Sequence, residues 1–88
     1  MTINDFAYFA FMMDGYKASD QARKAADTDI FYYGFLDSKG NWYIMEHDTT
    51  AGVNNLQTFR FKKGTSGYTT NWTNRETLTY DYFNTIFG

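Results

Sequence analysis

The stretch IFYYGFLDSKGNWYIMEHD, residues 30–48, constrains this chain more than any other part of it. Within it, DSKG sets Asp37 at the first position and Gly40 at the fourth, the pair that a type I turn followed by a left-handed glycine bulge requires. With Asp37 facing Asn41, the arms pair Leu36 with Trp42, Phe35 with Tyr43, Gly34 with Ile44, Tyr33 with Met45, Tyr32 with Glu46 and Phe31 with His47. Alternation along the strands then places Tyr32, Leu36, Trp42 and Ile44 on one face and Phe31, Tyr33, Phe35, Tyr43 and Met45 on the other. Both faces are apolar. A small antiparallel sheet ordinarily keeps one face wet, so this hairpin has to be covered on both sides, by helices of its own chain or by another chain. Gly34 lies among large neighbours, where a missing side chain leaves room for a ring to cross the backbone.

A third strand is legible in LQTFRFKKG, residues 56–64, where Phe59 and Phe61 alternate with Thr58, Arg60 and Lys62. Its positive charges suit an edge position, where they oppose unwanted pairing. At the N-terminus, Phe6–Met13 is apolar and free of β-branched residues, and Thr2 with Asp5 approximates a capping arrangement, so this segment reads as a helix. Rings and methionines surround its whole circumference. A helix of that kind is enclosed or lies between two partners. Residues 18–29, ASDQARKAADTD, read as a polar connector with weak helical preference. Tyr68–Trp72 reads as a short extended piece. Thr73 with Glu76 forms a capping box, and Leu78, Tyr82 and Ile86 recur at every fourth position, which predicts a C-terminal helix over residues 74–87. The expected architecture is one α+β domain over residues 1–88: a helical arm and connector (1–29), a three-stranded antiparallel β-meander (30–72) and a C-terminal helix (73–88).

A chain of 88 residues without cysteine has neither a disulfide nor a thiolate metal site to support a small core. Its 22% aromatic content is the available compensation, and some rings are expected to face a partner. Tyr8, Phe11, Met12, Tyr33 and Tyr43 are the candidate partner contacts. The net charge of −2 gives no long-range attraction to nucleic acid or anionic lipid, and the apolar N-terminal run is too short to span a bilayer. Neither a nucleic-acid nor a membrane partner is expected.

His47, the only imidazole, is flanked by Glu46 and Asp48. On a strand those carboxylates point to the face opposite His47, so the triplet does not converge on a metal. Ser19, Ser38 and Ser66 have no neighbouring base, and no phosphate loop, dinucleotide fingerprint or calcium loop occurs. These observations point away from an enzyme, a metal site or a cofactor. Rings with Asn and Asp nearby suit a sugar face, and GNWYIM has a likeness to the repeated units of bacterial cell-wall-binding modules, which work in tandem where this chain has a single copy. A glycan partner, and with it a small carbohydrate-binding or host-surface recognition module, is therefore the second reading. A small regulator that inhibits a protein of a bacterial host is a third.

From Tyr32 to Phe87, the succession YYGFLDSKGNWYIMEHDTT, FRFKKG and YTTNWTNRETLTYDYF resembles small proteins encoded among the structural genes of tailed bacteriophages and prophages. The resemblance covers about two-thirds of the chain. It implies a virion component, a structural or adaptor subunit synthesised in the bacterial cytoplasm, whose partners are copies of itself or a larger virion protein.

Overall fold

The computed structural model describes residues 12–50 and 56–88. The protein is a mixed α+β structure built on one antiparallel sheet with strands β1 (Lys17–Arg23), β2 (Ile30–Leu36), β3 (Trp42–Asp48) and β4 (Thr58–Gly64), in spatial order β1-β2-β3-β4. Helix α1 (Tyr68–Thr73), a 3-10 turn (Arg75–Thr77) and helix α2 (Phe83–Phe87) follow. The expected helix over Phe6–Met13 lies mostly outside the described residues.

The central hairpin adopts the register that its turn residues dictate, from Ile30 opposite Asp48 to Leu36 opposite Trp42. Asp37 closes the turn. Its Oδ1 accepts the backbone N–H groups of Lys39 (2.8 Å) and Asn41 (2.9 Å), its Oδ2 accepts the Asn41 amide (2.7 Å), and Gly40 supplies the left-handed residue at φ 90°.

Among the described residues the sheet has four strands where the sequence predicts three, because Lys17–Arg23 pairs with β2 instead of serving as a connector. Alanine-rich local preference is weak, and the unpaired edge of a fully apolar hairpin outweighs it. A bulge between Ala18 and Asp20 shifts the register once.

The second correction concerns the C-terminus. Gly67, left-handed at φ 72°, precedes α1 where an extended piece was expected, and α1 ends at Thr73 with Asn74 as its C-cap. Residues 78–82 are extended, with Asp81 bridged to Phe61 on β4, so helical structure resumes only over Phe83–Phe87. One straight helix over residues 74–87 could not do what this segment does, which is to cross from one sheet face to the other around the outer edge of β4. Leu78 and Tyr80 pack with Ile30, Tyr32, Trp42, Ile44 and Tyr68 on one face. Ile86 and Phe87 pack with Tyr33, Phe35, Tyr43, Met45 and Phe61 on the other. The four-residue spacing of Leu78, Tyr82 and Ile86 thus belongs to no single helix face. The two-residue alternation of Leu78 and Tyr80 was the informative period.

The capping box is absent as well. Thr73 Oγ1 donates to the Thr69 carbonyl (2.9 Å), and the Glu76 carboxylate accepts the Ala25 N–H (3.1 Å) from the chain between β1 and β2.

Candidate functional site

The strand parity fixes which rings face inward. Tyr33 and Tyr43 stand on the α2 side of the sheet and are 2% and 0% exposed. Tyr43 is stacked on Phe35 (centroids 4.5 Å apart), meets Tyr16 and Phe87 edge-on at 4.9 and 5.5 Å, and accepts the Met13 N–H at its hydroxyl (2.7 Å). Burial pushes its phenol up to about 12, with the Met13 N–H opposing and Tyr16 adding to the rise. Burial likewise raises Tyr33. Both residues are core rings of this chain, which corrects their assignment as partner contacts. Met12 is half-buried against the same cluster and lines a cavity of about 460 Å³ with Met13, Asp14, Gly15, Tyr16 and Lys17. Tyr8 and Phe11 lie outside the described residues.

The exposed rings are elsewhere. Tyr82 is 57% and Phe83 48% exposed. They follow Asp81 directly, so the pairing of Asp81 with Phe61 delivers them to the outer side of β4. Arg60 lies over the Tyr82 ring at 4.0 Å, and Lys63 over Phe87 at 5.3 Å. Phe83 rests edge-on against Phe61 (5.3 Å) and beside Phe87 (4.7 Å). The one acidic group in this run, Asp81, turns its carboxylate to the Tyr82 N–H (2.7 Å). The result is two exposed rings at the outer edge of β4, Tyr82 under Arg60 and Phe83 beside Phe87, which Lys63 overlies. Spacing alone assigned Tyr82 to a helix face; the Thr-Leu-Thr-Tyr-Asp-Tyr alternation was the signal that could have placed it on an extended edge.

His47 Nε2 is 2.7 Å from Gln57 Oε1, and its ring stacks on Phe59 at 4.4 Å. Its neighbours in sequence serve other groups: Glu46 accepts the Tyr32 hydroxyl (3.0 Å) on the opposite face, and Asp48 accepts the Thr50 N–H (2.9 Å). Among the described residues no group of three or more His, Asp or Glu side chains could hold a metal ion, and no helix is long and apolar enough to cross a membrane.

The α1 face carries a second polar group of residues. Burial first, then Glu46 and Glu76, raise the Tyr32 phenol, with Arg75 opposing. Tyr80 is raised chiefly by burial, with Tyr32 and Glu46 adding, and donates to the Arg75 carbonyl (2.8 Å). Arg75 lies over Trp72 at 4.8 Å. These contacts satisfy the Tyr32 and Tyr80 hydroxyls at the rim of the core. No family model, no curated protein and no solved structure matches this chain.

Proposed function

We propose that this chain is a non-enzymatic structural or adaptor subunit of a bacteriophage particle, and that it docks to a larger virion protein through the surface of Tyr82 and Phe83. The observation that carries the reading is the exposure of those two rings near Arg60 and Lys63, while the other clustered rings of the sheet are taken up by the core. Aromatic rings and arginine are the groups that dominate protein interfaces energetically. Arg60 and Lys63 fit a partner surface that is apolar at its centre and acidic around it. The motif succession from Tyr32 to Phe87 supplies the virion context. The test is mass spectrometry of purified particles from cells carrying either the native gene or one encoding Tyr82→Ser with Phe83→Ser. Native chain present at fixed stoichiometry, with the variant folded but depleted from particles, supports the reading. Absence of the native chain from particles refutes the virion role, and undiminished incorporation of the variant refutes the docking surface.

A further inference from the structure

The two edges of the sheet are not equivalent. Antiparallel pairing alternates the direction in which backbone groups point. The Lys24 N–H donates to the Ile30 carbonyl (2.8 Å), so the even-numbered residues near the end of β1 bond inward to β2. Gln21 and Arg23 therefore direct their N–H and C=O groups away from the sheet. By the same alternation Phe59, Phe61 and Lys63 point outward from β4. There the Phe61 groups are bonded to Asp81 in both directions (2.7 and 3.0 Å), and the Phe59 carbonyl accepts the Arg60 guanidinium (3.0 Å). Among the described residues the β4 edge is clasped at Phe61 by its own chain, and the outward groups of Gln21 and Arg23 on β1 have no such clasp.

The open stretch has defined ends. On one side the bulge at Ser19 breaks the register. On the other the Ala25 N–H is taken by Glu76. Between them stand Gln21 and Arg23, both exposed, with four outward backbone groups.

We propose that this window pairs with the same window of a second copy, giving a two-fold antiparallel β1–β1 contact centred on Ala22. The proposal rests on the assembly reading given above and names a second partner for it. Three two-fold registers are compatible with the outward groups, and side-chain charge separates them. Centring on Arg23 opposes two guanidinium groups, a like-charge pair across strands. Centring on Gln21 opposes Asp20 to Ala22 and Lys24 to Ala18, with no complement. Centring on Ala22 bonds Gln21 of each copy to Arg23 of the other and sets Asp20 opposite Lys24 twice. Asp20 is already held on that face by the Tyr68 hydroxyl (2.7 Å), so its carboxylate is preset for the second contact. Because a two-fold contact uses the same edge of both copies, the pairing closes at two copies and does not propagate through β1. A window this short places the contact among weak, transient interfaces.

The test is light scattering of the full chain over a concentration series, with amide hydrogen exchange at its two ends. The native chain is expected to shift from monomer to dimer as concentration rises, with the Gln21 and Arg23 amides gaining protection in step. Gln21→Pro removes only an outward N–H and is expected to weaken dimerisation by about tenfold or more, at an unchanged melting temperature in dilute solution. Gln21→Ala keeps the N–H and is expected to dimerise like the native chain. Lys24→Glu, which sets like charges opposite Asp20, is expected to weaken it as well. A native chain monomeric at every concentration, or a Gln21→Pro variant that is folded and dimerises normally, overturns the β1 pairing. Either result leaves the virion role standing, since that depends on particle composition and not on self-association.

Discussion

Gly34 has no side chain, and the phenol of Tyr68 fills the space where one would stand. A β-carbon there would collide with Tyr68 Oη and come within 2.9 Å of Tyr68 Cζ and 3.0 Å of Trp72 Cε3. Tyr68 cannot swing aside freely, because its hydroxyl is bonded to Asp20. Gly34→Val is therefore expected to destabilise the protein by about 1–3 kcal/mol through overpacking, seen as a lowered melting temperature at unchanged secondary structure. Asp37 gives a second prediction. Its carboxyl is held below the usual range chiefly by the Asn41 side-chain amide, against desolvation, with the Lys39 and Asn41 N–H groups helping. A depressed folded value means that the carboxylate stabilises the turn fully above its unfolded value of about 4. The stabilisation is lost as pH falls through the lower folded value. Asp37→Asn is expected to flatten that part of the acid-unfolding curve, and an unchanged curve would remove the turn from the account. Both residues were legible in the sequence, the glycine from its place among rings and the aspartate from its place in DSKG.

At the scale of the elements, the hairpin could be read to the residue because turn chemistry and two-residue alternation agree there. The C-terminal third misled, since Thr73 and Glu76 have the spacing of a capping box and serve other contacts. Thr73→Ala is accordingly expected to change stability by no more than about 0.5 kcal/mol. Glu76→Ala, which strips the Ala25 N–H of its acceptor, is expected to cost about 0.5–1.5 kcal/mol, and Glu76→Gln less, because an amide oxygen remains to accept. Equal effects of Thr73→Ala and Glu76→Ala in urea unfolding would contradict this assignment. β1 escaped detection for a different reason: its sequence, KASDQAR, has no apolar stripe, and it is a strand only because β2 offers it a ladder. Two of the candidate partner residues have a comparable history. Tyr33 and Tyr43 belong to an apolar face that the chain covers itself, whereas Tyr82 and Phe83 become a surface only through the distant pairing of Asp81 with Phe61.

For the molecule as a whole, the tyrosines make the core sensitive to alkali. Tyr16, Tyr32, Tyr33, Tyr43 and Tyr80 are all raised, burial being the largest cause in each. An unfolded phenol ionises near pH 10, so above that pH the unfolded chain releases protons that the folded chain still holds. The stability linked to these groups is complete below about pH 10 and declines as pH rises toward their folded values. Phenolate absorbance is expected to rise in a late, cooperative step coincident with loss of circular dichroism; independent titration of these phenols in a folded protein would contradict the packing described. The order of the strands has a kinetic consequence. Each strand pairs with its successor in the chain, so most of the sheet can form with short loop closures, and short closures make for rapid folding. The bridge from Asp81 to Phe61 spans a longer loop and is expected to close after the rate-limiting step. Substitutions in the Asp37 turn should then slow refolding, whereas those that loosen the Asp81 clasp should leave refolding alone and hasten unfolding.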